Sequence, residues 1–417
     1  MRQKVFFKTF GCRTNMYDSQ VMMSNLSEYD LCECEDEADI VVVNSCTVTN
    51  GADSSVRSYI NSINRDGKKR VFLTGCGAHT KGESLLESGK VAGVFGQSEK
   101  QKIDEMLKMS EPFIKLGDLD FVDDSVVDDF VGKSRAFIKI QEGCNFRCSY
   151  CIIPYVRGDA RSMDESKIVD QVSRLASHGY GEFILTGTNV GSYGKDRSTS
   201  IAKLMKRLSL IRGVRRLRVG SIEPVQLDDE FREVLSESWL ERHLHIALQH
   251  TSPTMLKLMN RRNVYKQDRE LFEHLSSLGY AIGTDFITGH PGESKEIWEE
   301  AMSNLRSLPL THVHAFSYSP REGTASASMR DLVSAAVAKE RLHELEEIIK
   351  SKNYAFRRSN TTPLDVLIES SKDNLFMGYD QFFNKVFVKS SEDLLGNWIN
   401  IDTYEVEEEY NYAKFEI

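Results

Sequence analysis

Three cysteines in one short loop are the side chains whose types and spacing most clearly predict chemistry. Cys144, Cys148 and Cys151 are separated by three and then by two residues. A zinc site needs a fourth cysteine or histidine close by, and none follows this triplet. A disulfide framework needs partners and an oxidising compartment. Three thiolates in one tight loop therefore predict a cubane iron–sulfur cluster, in which one iron keeps no protein ligand and can bind a small molecule.

A second set of cysteines lies near the amino terminus. Cys12, Cys46 and Cys76 each follow a strand-like run and stand in a turn that contains glycine or asparagine. The runs are Val5–Phe10, Ile40–Val43 and Arg70–Thr74. Cysteine is often only a small buried hydrophobe, but the carboxyl ends of parallel strands meet at one edge of a sheet. These positions therefore predict a second three-thiolate cluster with one open iron, whereas Cys32 and Cys34, in an acidic stretch, are interpreted as free thiols.

The elements that must position these thiols predict an α/β protein in three parts. Strands and helices alternate over residues 1–125, which predicts a parallel, doubly wound sheet. Six β/α units follow over residues 130–356, fewer than the eight of a closed barrel, so we expect an open (β/α)6 partial barrel. Short strand patterns over residues 358–417 predict a small antiparallel β-barrel of the oligonucleotide-binding type.

Composition and charge set the broad class. The chain has 417 residues, of which 40% are hydrophobic and 28% charged, as in an ordinary globular protein. No apolar run has the length of a signal peptide core or of a membrane helix, so we expect a cytoplasmic protein without membrane contact. The net charge of −9 is uneven: residues 133–221 hold seventeen Lys/Arg against seven Asp/Glu, and residues 358–417 hold five against twelve. The central segment therefore suits phosphates, whereas the C-terminal segment does not.

The cysteine loop, with Tyr150 just before its last cysteine, resembles the signature of the radical S-adenosylmethionine enzymes. The resemblance implies that the open iron binds S-adenosylmethionine, which is cleaved to a 5′-deoxyadenosyl radical. The turns around Cys12, Cys46 and Cys76 resemble the N-terminal domain of the methylthiotransferases, a branch that inserts a methylthio group at a C–H bond. The resemblance covers essentially the whole chain. It implies two 4Fe-4S clusters, the second of which binds or carries the transferred sulfur, and a C-terminal substrate-recognition (TRAM-like) domain.

Further cofactor residues are expected at the carboxyl ends of the barrel strands. Gly187 allows close backbone approach and resembles the family's glycine motif for the amino group of S-adenosylmethionine. Ser221 and Glu223 offer a hydroxyl and a carboxylate for its methionyl or ribose groups. Gly289 begins a turn rich in Gly and Pro that we expect near the adenine. Each of these positions is also compatible with a plain turn at a strand end.

Four arginines are candidates for substrate phosphates, and the histidines are not assigned a metal. Arg157, Arg161, Arg215 and Arg216 can clamp or attract phosphate, although a solvated surface or a helix end explains them nearly as well. The histidines at 243 and 245 share one face of a strand, an alternation more typical of packed or hydrogen-bonded histidines.

Three substrates compete within the family: isopentenyladenosine in tRNA, threonylcarbamoyladenosine in tRNA, and an aspartate of a ribosomal protein. The acidic C-terminal segment favours the basic ribosomal protein. The motifs at 148–158, 186–194, 219–224 and 314–324 resemble those of the threonylcarbamoyladenosine enzymes. The resemblance thus implies methylthiolation of carbon-2 of the adenine beside the anticodon, with the tRNA anticodon stem-loop and an external electron donor as partners of a monomeric enzyme. An iron–sulfur electron carrier or a tRNA-binding scaffold is the non-enzymatic alternative.

Overall fold

The N-terminal part of the chain folds into a parallel sheet. The computed structural model describes residues 2–65, 67–127, 130 and 134–415. The strands of this sheet are Lys4–Thr9 (β1), Asp30–Leu31 (β2), Ile40–Ser45 (β3), Arg70–Gly75 (β4), Gly93–Phe95 (β5) and Phe113–Lys115 (β6). Their order is β2-β1-β3-β4-β5-β6, and each neighbouring pair is parallel.

Helices cover both faces of this sheet. They are Arg13–Ser24 (α1), Asn50–Ile63 (α2), Ala78–Glu87 (α3) and Ile103–Lys108 (α4). Because side chains alternate along a strand, Val41 and Val43 of β3 pack on one face with Val56 of α2. Ile40 and Val42 pack on the opposite face with α1 and α4. The apolar run at 40–43 is thus buried on both sides, which explains why it contains no polar residue.

The central part contains two short strands and a row of six parallel ones. The strands are Ala136–Lys139 (β7), Gln141–Glu142 (β8), Arg161–Ser162 (β9), Glu182–Thr186 (β10), Arg216–Val219 (β11), His243–His245 (β12), Ala281–Thr288 (β13) and His312–Ser317 (β14). β8 and β9 form an antiparallel pair. The sheets β11-β10-β7 and β12-β13-β14 are joined by the bridges Leu217–Leu240 and Ile222–Ile246. Within the described residues β7 and β14 are not paired, so the barrel is open, as predicted.

Helices line the outside of this partial barrel. They are Ile153–Arg157 (α5), Glu165–Ser177 (α6), Ile201–Ser209 (α7), Asp229–Arg232 (α8), Pro253–Leu258 (α9), Tyr265–Ser277 (α10), Lys295–Ser307 (α11) and Ala335–Ser359 (α12). Ile168 and Leu175 of α6 and Leu204 of α7 are buried in one core with Phe183 and Leu185 of β10. In the part of the chain that the structure describes, no helix is both long and apolar enough to cross a bilayer.

The C-terminal part is a curled mixed sheet. Its strands are Leu364–Lys372 (β15), Leu375–Tyr379 (β16), Lys385–Lys389 (β17), Trp398–Ile401 (β18), Glu405–Val406 (β19) and Asn411–Lys414 (β20). The order is β18-β15-β16-β17-β20-β19, and the β17–β20 pair is parallel, unlike the antiparallel arrangement that we expected. After β17 the chain crosses to the far edge of the sheet, where β18 pairs with β15. It then returns and adds β20 beside β17, in the same direction as β17. The predicted α/β class is confirmed. The domain limits stay a prediction, and residues 1 and 417 lie outside the described residues.

Candidate functional site

The cysteine loop leaves the barrel between β8 and α5. Gly143 begins it with a φ of +74°, and a Cβ there would lie 1.9 Å from the carbonyl oxygen of Asp159. Only glycine fits this close approach. The N–H of Cys144 then donates to the carbonyl oxygen of Gly158 at 3.0 Å, which closes the loop over the carboxyl ends of the barrel strands.

Hydrogen-bond donors point at the sulfur atoms of this loop. The Sγ of Cys144 accepts from the backbone N–H of Phe146 and from the side-chain amide of Asn189, both at 3.4 Å. The Sγ of Cys148 accepts from the guanidinium of Arg261 at 3.5 Å. Donors of this kind stabilise a thiolate, which is the form that binds a metal.

The second set of cysteines converges at the carboxyl edge of the N-terminal sheet, as predicted. Cys12 precedes the first residue of α1, Cys46 follows β3 and Cys76 follows β4. Because these strands are adjacent, the turns meet: a Cβ on Gly11 would lie 2.7 Å from the Cβ of Cys46 and 3.0 Å from its Sγ.

Two asparagines hold these turns in place. The side-chain amide of Asn15 donates to the carbonyl oxygens of Phe10 and Ser45, at 2.8 and 2.9 Å. The amide of Asn44 donates to the carbonyl oxygen of Asn15 at 2.8 Å. The loops that carry Cys12 and Cys46 are therefore fixed by each other's backbone.

Both triads fit iron–sulfur clusters better than single ions. Within the described residues, one set of three possible metal ligands has all its ligand atoms within 4.8 Å of one another. That set contains no cysteine, so the three sulfur atoms of each triad lie farther apart than this. The thiols are thus spread too widely for one ion. Burial raises the pKa of Cys151 to about 12 and that of Cys46 to about 11. Buried thiols of this kind lose their protons when a bound cation stabilises the thiolates.

Arg157 connects the helix after the cysteine loop to the first triad, a role different from the predicted one at a phosphate. It ends α5, just after the cysteine loop, and is only 2% exposed. Its Nε donates to the Sγ of Cys76 at 3.2 Å. Its Nη1 donates to Asp18 at 2.8 Å and also to Glu142, and its Nη2 donates to Asn15. With every face of its guanidinium occupied by protein, Arg157 is not placed to bind substrate.

A cavity of about 240 Å³ lies between the two cysteine regions. Thr49, in the turn after Cys46, lines it from the N-terminal sheet, and Tyr150 and Cys151 line it from the cysteine loop. Gln249 and Asp285 complete the wall from the barrel. Gln249 has a φ of +69°, a conformation that costs a non-glycine residue free energy and that clusters at functional sites.

Glu223 and Ser221 contact residues of the cysteine loop's surroundings: Glu223 pairs with Arg261, and Ser221 bonds to Asp285 in the cavity wall. Glu223 accepts from both terminal nitrogens of Arg261, from Nη1 at 2.9 Å. The same Nη1 reaches Cys148, so a carboxylate, a guanidinium and a cluster thiol are in contact. Ser221 donates to Asp285 at 3.2 Å.

The two predicted glycines have packing reasons of their own. A Cβ on Gly187 would lie 2.6 Å from the carbonyl oxygen of Gln141. Gly289 has a φ of +75°, and its Cβ would lie 2.5 Å from the Cβ of Ala338 in α12. Both positions need glycine to join neighbouring elements, so the structure explains them without a ligand.

The other predicted substrate arginines are also occupied by protein. Arg161 donates to the carbonyl oxygens of Phe121, at 2.8 Å, and Asp159. Arg216 is 4% exposed and donates to Glu182 at 3.0 Å and to Asp365 at 2.8 Å. Arg215 donates to the same Asp365 at 2.5 Å. Contacts within the protein explain all three arginines, and phosphate contact stays a prediction for Arg215, whose side chain is 49% exposed.

The acidic C-terminal sheet docks onto these arginines. Trp398 of β18 lies 4.3 Å from the guanidinium of Arg215 and 4.6 Å from that of Arg216, measured from the ring centroid. Arg135 likewise pairs with Glu369 of β15 at 2.6 Å. Asp365 and Glu369 thus neutralise part of the positive charge of the barrel.

Replacing Arg216 by methionine should loosen the C-terminal sheet. The change takes one cation from the buried Glu182, and breaking a buried pair costs about 3–5 kcal/mol; Asp365 of β15 keeps Arg215 alone. We expect faster amide hydrogen exchange in β15 and β18 and little change in β1–β4. Arg212→Met, at an exposed position of the same basic run, is the matched control. Equal exchange in the two variants would contradict the docking role.

Sequence reasoning missed two residues that contact the cysteine loop. Asn189 lies two positions after the predicted Gly187, and Arg261 lies in the Asn-Arg-Arg-Asn stretch after α9. Asn189 could have been found from the sequence, because it closely follows the carboxyl end of a predicted strand. Arg261 follows a helix instead, so only the fold brings it to Cys148.

Comparison with known proteins assigns this arrangement to a class. Residues 4–96, which contain the first triad, match the model of the uncharacterized protein family UPF0004. Residues 138–305, which contain the second, match the radical SAM superfamily. A solved radical S-adenosylmethionine methyltransferase, TsrM from Kitasatospora setae, has a similar fold, with a TM-score of 0.57 and 16% identity over 78% of this chain and 77% of that one. The fold and the cysteine loop are those of a radical S-adenosylmethionine enzyme.

Full-length relatives define the family within this class. A protein of Helicobacter pylori (strain J99) that bears a methylthiotransferase name is 53% identical, over 99% of this chain and all of that protein. The threonylcarbamoyladenosine tRNA methylthiotransferase MtaB of Bacillus subtilis (strain 168) is 33% identical, over 99% of this chain and 96% of its own. The chain belongs to the radical S-adenosylmethionine methylthiotransferase family. It is therefore an enzyme whose cofactors are two 4Fe-4S clusters and S-adenosylmethionine.

Proposed function

We propose that this enzyme adds a methylthio group to carbon-2 of N6-threonylcarbamoyladenosine beside the anticodon of tRNA. The observation that carries the proposal is the similarity to the threonylcarbamoyladenosine tRNA methylthiotransferase MtaB of Bacillus subtilis. This similarity spans 99% of the present chain. Its geometric support is that both cysteine regions border one cavity. The partners in this proposal are the tRNA anticodon stem-loop and an external electron donor, and the enzyme is a cytoplasmic monomer.

The two triads have separate tasks in this proposal. Cys144, Cys148 and Cys151 hold the cluster at which S-adenosylmethionine binds, and the triad at 12, 46 and 76 holds the cluster through which sulfur is delivered. When bound, these groups supply the 5′-deoxyadenosyl radical and the methylthio group. The chain itself orients the reactants and excludes water, because a reactive radical must meet only its target.

Polar groups beside the cysteine loop are suited to S-adenosylmethionine. Arg261 donates to Cys148 and Glu223, and the Glu223 carboxylate can accept from an amino or ribose hydroxyl group. Tyr150 is packed against Met255 and Met259 and forms an apolar wall. Residues 1–125, 130–356 and 358–417 then act as the sulfur-delivering, radical-forming and substrate-recognising domains.

A second, more polar cavity suits the threonylcarbamoyl group. It measures about 380 Å³ and adjoins the turn after Cys46. His79, Lys81 and Tyr155 line it, and the Nε2 of His79 is buried without a hydrogen-bond partner. Cationic and hydrogen-bonding groups of this kind can bind the α-carboxylate and the hydroxyl of the threonine moiety.

Nucleoside mass spectrometry tests the proposal. The anaerobically reconstituted, reduced protein is incubated with S-adenosylmethionine and a mixture of tRNAs, some of which carry threonylcarbamoyladenosine and others isopentenyladenosine. We expect a methylthio gain on threonylcarbamoyladenosine alone. A gain on isopentenyladenosine would move the substrate to the other tRNA branch. Unchanged nucleosides with continued 5′-deoxyadenosine release would overturn a tRNA substrate and direct the search to ribosomal proteins.

A further inference from the structure

Two histidines and an aspartate meet on the inner face of the barrel, apart from both cysteine triads. His245 ends β12, Asp285 lies within β13 and His314 lies within β14. The Nε2 of His245 lies 3.0 Å from Oδ1 of Asp285, and the Nδ1 of His314 lies 3.6 Å from the same oxygen. Among the residues that the structure describes, this is the set of three ligand atoms that lies wholly within 4.8 Å.

Two of the three separations between these ligand atoms fit the coordination shell of one ion. Imidazole nitrogens and carboxylate oxygens bind zinc at about 2.0–2.2 Å. Two ligands at that distance are about 3.0 Å apart at an octahedral angle and about 3.4 Å apart at a tetrahedral angle. The two observed separations, 3.0 and 3.6 Å, lie close to these values.

The state of His245 points to a missing partner. The residue is 9% exposed, and its Nε2 is buried without a hydrogen-bond partner although it lies beside the carboxylate. A buried ring nitrogen without a partner is costly, and a metal ion between the nitrogen and the oxygen would satisfy both.

Two neighbouring residues, Gly283 and Ser221, fix the positions of the histidine ring and the carboxylate. A Cβ on Gly283, the neighbour of His245 on β13, would lie 2.8 Å from the Nδ1 of that histidine. Glycine at this position therefore makes room for the ring. Ser221 donates to Oδ2 of Asp285 at 3.2 Å, which leaves Oδ1 for the ion. Hydrogen bonds of this kind orient carboxylate ligands in metal sites.

The chemistry of the three side chains indicates which kind of ion they would bind. One carboxylate flanked by two imidazoles attracts a cation rather than an anion, and two His with one carboxylate suit zinc or ferrous iron. The side chain of His314 is 61% exposed and Asp285 lines the 240 Å³ cavity, so further coordination positions face open space. We propose that His245, Asp285 and His314 bind one divalent transition-metal ion, zinc or ferrous iron.

Zinc binding by the cluster-loaded protein tests this site, whatever the substrate of the enzyme. Clusters occupy the six triad thiols, and the substitutions Cys32→Ser and Cys34→Ser in the parent remove the two remaining thiols as competitors. Oxidised 4Fe-4S clusters are diamagnetic, so the same protein is studied by electron paramagnetic resonance with Co²⁺. We expect the parent to retain one Zn²⁺ per chain through gel filtration, and its Co²⁺ signal to show nitrogen coupling from two imidazoles.

The variants locate the ion. Asp285→Asn keeps the shape of the side chain, and His314→Ala changes a mostly exposed residue. Both should bind Zn²⁺ at least about tenfold more weakly, with the iron content of the parent. His343→Ala, at an exposed position of α12, should bind Zn²⁺ as the parent does. A parent that retains no Zn²⁺, or variants that retain it as tightly as the parent, would overturn the proposal.

Discussion

Replacing Cys148 by alanine should abolish 5′-deoxyadenosine formation, whereas replacing Cys76 should leave most of it and stop methylthio transfer. Cys148 belongs to the loop on the barrel strands, in contact with Arg261. Cys76 belongs to the edge of the N-terminal sheet. The two thiols serve different clusters in the proposed mechanism, so their losses should separate the two products.

The measurement follows both products in one reaction. Chromatography with mass detection quantifies 5′-deoxyadenosine and the methylthiolated nucleoside from the same tubes. Cys34→Ala is the matched control, because this exposed cysteine lies outside both triads and should change neither product. Equal loss of 5′-deoxyadenosine from the Cys148 and Cys76 variants would contradict the separate tasks.

The order of elements in the sequence was enough to predict where the thiols meet. Each of Cys12, Cys46 and Cys76 follows a strand, and parallel strands end at one edge, so the first triad needed only the strand assignments. The three cysteines at 144–151 needed only their spacing. Local pattern decides these positions because each cysteine stands in a turn attached to a predictable strand.

Contacts between distant segments could not be predicted in this way. Arg157 was predicted to bind phosphate because the sequence does not show that Cys76 and Asp18, from the N-terminal part of the chain, lie against it. The same holds for Arg216, whose partner Asp365 is about 150 residues away. His314 joins His245 only through the order of the barrel strands.

Replacing Arg157 by methionine should destabilise the contact between the N-terminal sheet and the barrel. The guanidinium contacts Asp18 of α1, Glu142 of β8 and the thiol of Cys76, all of them buried. The substitution leaves two buried carboxylates with fewer cations, and breaking a buried pair in this way costs about 3–5 kcal/mol. Arg147→Met is the control, because its pair with Asp159 is about half exposed and is worth about 0–1 kcal/mol.

The network around Asp18 also gives this stability a pH dependence. Burial alone would raise the pKa of Asp18, but Lys100, Lys139 and Arg157 outweigh it and hold that pKa below its usual value. A carboxyl group with a lowered pKa stabilises the fold above its unfolded pKa of about 3.9 and loses that contribution as the pH falls. Wild-type protein should therefore lose stability in acid, and the Arg157 variant should show a smaller loss because less of the contribution remains.

Arg157→Lys separates charge from hydrogen bonding at this contact. Lysine keeps the positive charge beside Asp18 and Glu142, so it should recover most of the stability lost in the methionine variant. It cannot reproduce the fork of N–H donors that reaches the carboxylates and the Sγ of Cys76 together. With the cysteines at 144, 148 and 151 replaced by alanine, only the first triad can hold a cluster, and its redox potential reports that N–H···S contact directly. If the lysine variant is as stable as wild type but its redox potential shifts, Arg157 sets the environment of the cluster thiol. If the potential is unchanged, Arg157 only holds the two parts of the enzyme together.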